Sequence, residues 1–136
     1  MGRRLFLLAL LGLLAGCGGG QKAAPLPAGS PVLAFGDSVT FGTGAAAGED
    51  YPTQLAAISG WSIANAGIAG DTAAAARGRI RAAIEESRPV LVIVELGGND
   101  FLRRRSDAEV KEDLRAILNE VRGAQVPVVL VAVPRF

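Results

Sequence analysis

Four short apolar runs recur along the chain, separated by segments whose apolar positions follow a helical spacing. The runs are bounded by Gly or Pro and most are rich in branched side chains, as is typical of β-strands. Two of them, 90–94 and 128–133, show no polar alternation, which favours strands buried on both faces of a parallel sheet. The predicted strands cover residues 31–35, 61–66, 89–96 and 127–133.

Helices are predicted between these strands. A short one is expected at 51–59. A second, at 71–87, is alanine-rich and has Asp71 and Thr72 placed to cap its start. Because strands and helices alternate, the pattern predicts an α/β fold built on a parallel sheet that helices cover on both faces.

The third predicted helix has the clearest boundaries. Ser106-Asp-Ala-Glu109 is a capping-box pattern at its start, and Gly123 stands where a C-cap glycine belongs. One apolar stripe runs between them. Its members are Val110, Leu114, Ile117, Leu118 and Val121.

The N-terminus has the order of a secretory signal. Arg3 and Arg4 precede an apolar run, Leu5 to Leu14, that is too short to span a bilayer. The run ends in Leu14-Ala-Gly-Cys17, which resembles a bacterial lipoprotein signal. Cys17 is therefore expected to carry lipid and to begin the mature chain. The alternative is an ordinary signal peptide in which Cys17 is incidental.

These observations predict three segments: a signal peptide at 1–16, a flexible linker at 17–31, and one domain at 32–136. We expect a monomer, lipid-anchored to a membrane of the bacterial cell envelope and facing the periplasm. With 14 Lys+Arg against 13 Asp+Glu, charge gives no reason to expect a nucleic-acid partner.

No cofactor is predicted. One cysteine and no histidine exclude a Cys/His zinc site and an intramolecular disulfide. The glycines from Gly42 to Gly48 do not open a helix directly after a strand, as a dinucleotide-binding loop must.

Polar signals follow three of the predicted strands: Ser38 after the first, Gly70 after the second and Asn99 after the third. In a sheet of order 2-1-3-4, the loops that carry Ser38 and Asn99 meet where the strand order reverses, which is where ligands bind. Acyl transfer needs a nucleophilic oxygen, a base and donors for the oxyanion. Ser38 can supply the nucleophilic oxygen, and the backbone N–H of Gly70 and the Asn99 amide can supply the donors. Singly, each also fits a local role as cap, turn residue or loop residue.

Three blocks carry a family resemblance. GDS at 36–38, NAGIAGDT at 65–72 and VELGGND at 94–100 resemble, in order, the first conserved blocks of the GDSL, or SGNH, hydrolases. They are most similar to the bacterial arylesterase, lysophospholipase and acyl-CoA thioesterase branch.

The resemblance implies a flavodoxin-like, three-layer α/β/α fold and a lipase-type or esterase activity without a cofactor. Ser38 would be the nucleophile, and Ser38, Gly70 and Asn99 would form the oxyanion hole. Implied substrates are small-molecule esters, thioesters or lysophospholipids.

One part of the family pattern is missing. The family's last block places an aspartate three residues before the histidine that serves as base, and this chain contains no histidine. Lys22 in the linker and Lys111 on the third helix are poor substitutes. We expect a fragment that lacks the final strand and helix. The alternative is a catalytically inactive, lipid-tethered envelope protein that binds an ester or glycan, and the downstream gene sequence would distinguish the two.

Three arginines, Arg103, Arg104 and Arg105, follow Asn99. They could attract an anionic substrate such as a phospholipid head group or a CoA ester. They could equally be a solvated loop before the Ser106 cap.

Overall fold

The computed structural model describes residues 24–133, which form a parallel sheet and six helices. The strands are β1 (Pro31–Gly36), β2 (Ser62–Gly67), β3 (Leu91–Glu95) and β4 (Val128–Leu130). The helices are α1 (Ser38–Phe41), α2 (Tyr51–Ser59), α3 (Ala73–Ala76), α4 (Ile80–Ser87), α5 (Gly98–Leu102) and α6 (Asp107–Gly123).

The strands are ordered β2-β1-β3-β4, and every neighbouring pair is parallel. Val32 of β1 pairs with Ile63 on one side and with Leu91 on the other, so β1 is central. The predicted α/β fold and the order 2-1-3-4 are therefore confirmed. The last strand is shorter than the predicted 127–133.

The main core lies between one face of the sheet and the helices α4 and α6. Alternate residues of β1 and β3 point to this face, because side chains of a strand alternate between its two sides. The fully buried members are Leu33, Phe35, Ala76, Ile80, Val92, Val94, Leu96, Ile117 and Val121. This packing fixes the two central strands, and it thereby fixes the positions at which their carboxyl ends emerge.

The single helix predicted at 71–87 is wrong. The Thr72 side chain caps α3, as expected, by accepting from the N–H of Ala75 at 3.2 Å. The helix stops after Ala76, and α4 begins only at Ile80. High alanine propensity is thus overridden within residues 77–79.

Arg79 explains the break, because its side chain turns towards the sheet. Its guanidinium donates to Asp71 Oδ2, to the carbonyl of Ala66 and to the carbonyl of Gly36, each at 2.8 Å. It also lies 4.0 Å from the centroid of the Phe35 ring. These contacts provide hydrogen-bond donors for carbonyls at the ends of β1 and β2. They hold Arg79 in a position that it would not occupy in a continuous helix over 71–87.

Helix α6 has the predicted capping box, with Ser106 and Glu109 bonded reciprocally. The predicted C-cap at Gly123 is wrong. Gly123 is the last helical residue, and Ala124 caps the helix because its N–H still bonds the carbonyl of Glu120 at 3.1 Å. After α6, a positive φ of 59° is reached at Gln125, two residues beyond Gly123.

Part of the predicted linker 17–31 is described, and it contacts the domain. Gly29 donates to the carbonyl of Gly60 at 2.8 Å, and the indole of Trp61 donates to the carbonyl of Leu26 at 3.3 Å. The predicted signal peptide 1–16 and Cys17 lie outside the described residues. Among the helices of residues 24–133, none is long and apolar enough to cross a membrane.

Candidate active site

Ser38 begins α1 directly after the central strand. Asp37 caps this short helix, accepting the N–H of Val39 on Oδ1 at 3.0 Å, so Ser38 itself is not the cap. The turn from β1 into α1 is tight: a Cβ on Gly36 would overlap the Thr40 hydroxyl and lie 2.5 Å from the carbonyl oxygen of Glu95. Glycine at position 36 thus lets α1 start close to β3, with Ser38 half-buried.

Asn99 lies in the first turn of α5, which follows β3. Its Nδ2 donates to Asp37 Oδ2 at 3.2 Å and to the carbonyl oxygen of Asp71 at 2.9 Å. The carbonyl oxygen of Asp71 can only accept, so the nitrogen of the amide faces it. Asn99 therefore links the segments that follow β1 and β2.

Ser38 and Asn99 line the same cavity, of about 280 Å³, at the carboxyl edge of the sheet. The sequence predicted this meeting from the strand order, and the structure places it between β1 and β3. The walls combine acidic and apolar side chains. The other lining residues are Asp37, Val39, Glu95, Gly98, Leu102, Val131, Ala132 and Val133.

Gly70 is not among the residues that line this cavity. It adopts a left-handed φ of 80°, which suits glycine, and a Cβ added there would meet nothing within 4 Å. Its neighbour Asp71 accepts from Asn99 through its carbonyl. The structure thus brings Ser38 and Asn99 together directly, and it places Gly70 next to the Asn99 contact.

Glu95 was missed as a site residue, because it ends an apolar run that predicts a strand. The signal was its position: one acid in an otherwise apolar segment. It is 6% exposed and accepts the Thr40 hydroxyl on Oε2 at 3.1 Å. Burial and then the charge of Asp37 raise the pKa of Glu95. A second acid therefore lies in the Ser38 cavity beside Asp37.

Arg105 is held in an ion-pair network, so neither proposed role of the arginine triplet describes it. Its Nη1 lies 3.0 Å from Asp100 Oδ1 and 2.7 Å from Asp113 Oδ2. Arg77 pairs with the other Asp113 oxygen at 2.7 Å, and Asp100 Oδ2 accepts the N–H of Ala73 at 2.9 Å. This network ties α5, which carries Asn99, to α3 and α6.

The other two arginines are exposed. Arg103 donates to the carbonyl of Gly70 at 3.1 Å, which connects α5 to the segment after β2. Arg104 adopts a positive φ of 58°. Arg103 and Arg104 are thus exposed and not held in this network, whereas the Arg105 side chain is 26% exposed and is engaged by its ion pairs.

Neither lysine that was considered as a substitute base is seen in the Ser38 cavity of residues 24–133. Lys111 lines a separate apolar cavity of about 530 Å³ between α6 and β4, and Lys22 lies outside the described residues. In the part of the chain that the structure describes, no three His, Cys, Asp or Glu side chains are grouped to hold a metal ion.

Comparisons with known proteins indicate the family to which this chain belongs. The GDSL-like Lipase/Acylhydrolase family matches residues 34–136. Esterase TesA of Pseudomonas aeruginosa is 31% identical over 126 residues, which cover 89% of this chain and 63% of that protein. Thioesterase 1/protease 1/lysophospholipase L1 of Escherichia coli K12 is 34% identical over 110 residues, 78% of this chain and 52% of that protein.

The crystal structure of AlinE4, an SGNH-hydrolase family esterase, superposes with a TM-score of 0.74 at 39% identity, covering 80% of this chain and 62% of AlinE4. The chain thus spans between about half and two thirds of the length of these relatives. The family match, the relatives and the shared fold agree with the three sequence blocks. This chain belongs to the GDSL-like lipase/acylhydrolase family.

Proposed function

We propose that this chain carries the nucleophile and oxyanion donors of a carboxylic ester hydrolase that acts on small esters, thioesters or lysophospholipids. The observation that carries the proposal is the shared cavity of Ser38 and Asn99 at the carboxyl ends of β1 and β3. The names of the relatives, esterase and thioesterase/lysophospholipase, support the same reaction class.

Ser38 would act as nucleophile, its Oγ attacking the ester carbonyl carbon. Negative charge then develops on the carbonyl oxygen and needs preorganised donors. The backbone N–H of Ser38 lies in the first turn of α1, where no carbonyl of the helix accepts it. We assign this N–H, the N–H of Gly70 and Asn99 Nδ2 as the three donors.

The Asn99 amide already has two acceptors, so one hydrogen must be redirected. Its bond to Asp37 Oδ2 is the longer, 3.2 Å against 2.9 Å to the carbonyl of Asp71. We expect the longer bond to give way to the oxyanion, while the shorter bond keeps the amide in place. Asn99→Ala should then lower the Ser38-dependent rate by roughly 10²–10³ with a smaller change in KM.

The proton of Ser38 has no imidazole to accept it, because the 136 residues contain no histidine. A serine hydroxyl without a base is a weak nucleophile. For these 136 residues by themselves, the second candidate function is that the site binds an ester or glycan without turning it over.

Imidazole added in solution can replace the missing base, and it separates the two candidates. The chain is assayed with a short p-nitrophenyl ester over a range of imidazole concentrations, beside Ser38→Ala. In the wild type we expect an imidazole-dependent rate that saturates as the ester concentration rises. In Ser38→Ala we expect only the rate that imidazole gives without the protein. Equal rates in both proteins would contradict the hydrolase proposal. Ester-analogue binding without any such rate would support the binding function.

We further propose that the domain is a monomer, lipid-anchored through Cys17 to the cell envelope and facing the periplasm. The support is in the sequence: Leu14-Ala-Gly-Cys17 follows a short apolar run that two arginines precede. An anchor would hold the site near membrane lipids, which suits a lysophospholipid substrate.

A further inference from the structure

The guanidinium of Arg79 bridges the ends of two neighbouring strands. Its Nη2 donates to the carbonyl of Gly36, the last residue of β1, and its Nη1 donates to the carbonyl of Ala66 in β2, each at 2.8 Å. Its Nε donates to Asp71 Oδ2, also at 2.8 Å. Three nitrogen atoms of one planar group therefore hold the end of β1, the end of β2 and the segment after β2.

The groups around the guanidinium keep it in one place. Its Cζ lies 4.0 Å from the centroid of the Phe35 ring, and this ring is fully buried in the core. A cation over an aromatic face is attracted to it. The Asp71 side chain is only 8% exposed, and its Oδ2 also lies 2.7 Å from Arg79 Nη2. A lysine has a single nitrogen on a flexible stem, so it cannot reproduce this arrangement.

The turn that follows β2 is held by Arg79 at both of its ends. The N–H of Asp71 donates to the carbonyl of Ile68 at 3.1 Å and closes a turn whose third residue is Gly70. The φ of 80° at Gly70 is what a turn with a positive φ at its third position requires. The N–H of Ile68 donates at 3.1 Å to the carbonyl of Gly36, the same oxygen to which Arg79 donates. The direction of the Gly70 N–H therefore depends on contacts of Arg79.

The same contacts extend to Asn99 and Ser38. Asn99 Nδ2 donates to the carbonyl of Asp71 at 2.9 Å, which is the shorter of its two hydrogen bonds. Ser38 follows Gly36 by two residues. Arg79 is not among the residues that line the Ser38 cavity, so any effect on that cavity passes through the segments it holds.

We propose that Arg79 is a positioning residue for the oxyanion hole: its guanidinium sets the relative places of the segments that carry Ser38, Gly70 and Asn99. These three groups are oxyanion donors only under the proposed function, on which this role of Arg79 therefore rests. The proposal adds one side chain, outside the cavity, on which the alignment of all three donors depends.

Arg79→Lys keeps the positive charge and removes the planar set of donors. The Asp71 side chain then loses most of its partners, and its carbonyl is no longer held against Asn99. By NMR on the full chain, we expect the Gly70 backbone N–H signal and the Asn99 side-chain amide signals to shift. The Asn99 amide protons should also exchange with water roughly five- to tenfold faster, as for the loss of about one hydrogen bond.

The matched control is Arg81→Lys, two residues further along the chain. Arg81 pairs with Glu120 at 2.8 Å, and its side chain is 72% exposed, so the same substitution should leave the Gly70 and Asn99 signals in place. Equal changes in both variants would overturn the proposal. So would a folded Arg79→Lys that is less stable in urea but keeps the wild-type Gly70 and Asn99 signals, because that is the result of a purely structural role.

A reciprocal measurement decides the matter if Arg79→Lys does not fold. Energetic coupling acts in both directions, so Asn99→Ala should shift the signal of the Arg79 Nε–H, which donates to Asp71. Asn119→Ala, at an exposed asparagine of α6, should leave that signal unchanged. An Arg79 signal that does not respond to Asn99→Ala would overturn the proposal. Because none of these measurements uses ester cleavage, failure here leaves the imidazole assay intact, and failure of that assay leaves this result intact.

Discussion

Replacing Gly67 with alanine should displace the helix that carries Ser38. Gly67 ends β2 and lies directly under the backbone of α1. An added Cβ would be 2.6 Å from the carbonyl carbon of Thr40 and 2.7 Å from Cα of Phe41. These are backbone atoms and cannot rotate aside as a side chain would. Asn65 holds the same segment through a 2.8 Å bond from its Nδ2 to the carbonyl of Thr40.

The size of the effect follows from these distances. Carbon atoms in van der Waals contact lie about 3.5–4.0 Å apart, so α1 must retreat by about 1 Å. Overpacking of this kind costs about 1–3 kcal/mol, and we expect the upper end because backbone must move. A displacement of about 1 Å at a reacting group costs roughly 10²-fold in rate. Gly67→Ala should therefore lose both stability and the Ser38-dependent rate.

Urea unfolding monitored by circular dichroism measures the first effect, with Gly123→Ala as its matched control. Gly123 lies in α6, has an ordinary φ and would have nothing within 4 Å of its Cβ. The same substitution there should raise the free energy of unfolding by about 0.5–1 kcal/mol, since alanine favours a helix. If Gly67→Ala unfolds within about 0.5 kcal/mol of the wild type, as a neutral surface change does, the reasoning about α1 is refuted.

Three further predictions concern stability and location. Ser106→Ala should lower the free energy of unfolding by about 1 kcal/mol in urea, because it removes half of the capping box; an unchanged midpoint would contradict this. Burial raises the pKa of Asp113, but hydrogen bonds from Arg77 and Arg105 outweigh it and lower the pKa below 3.8. The ionised form is thus favoured by folding, so its stabilisation is present above pH 3.8 and lost as pH falls through the folded-state value. Urea unfolding at decreasing pH should show an acid-side loss that is smaller in Asp113→Asn, and equal losses would count against the network. Finally, Cys17→Ser should move the protein out of the membrane fraction of expressing cells; retention there would exclude the lipid anchor.

The sheet was predictable because its central strands are buried on both faces. Their continuous apolar runs give a clear signal, and parallel strands with intervening helices restrict the topology. The same signal places Ser38 and Asn99 at one edge. The sequence pattern could not predict where α3 ends and α4 begins. The break depends on hydrogen bonds from Arg79 to carbonyls of β1 and β2, which are distant in the sequence.

The site was less predictable than the sheet. Helices α1 and α5 are each a single turn, too short for apolar periodicity to show. Glu95 is the one acid in an otherwise apolar run, a weak signal in the sequence, and its place in the Ser38 cavity with a hydrogen bond from Thr40 makes it a site residue in the structure. The glycines at 36 and 67 are likewise informative only once the backbone of α1 is placed against them.

The central position of β1 has a consequence for biosynthesis. Val32 pairs with Leu91, which lies about 60 residues later in the chain. At a synthesis rate of roughly 5–20 residues per second, β3 is therefore synthesised about 3–12 s after β1. Until then β1 can pair only with β2, and an isolated strand pair is marginally stable in water. Leu33 and Phe35 are left without most of their core partners during this interval. The nascent chain therefore presents an open, apolar strand edge for several seconds, when a chaperone or another unfolded chain can bind it before β3 does.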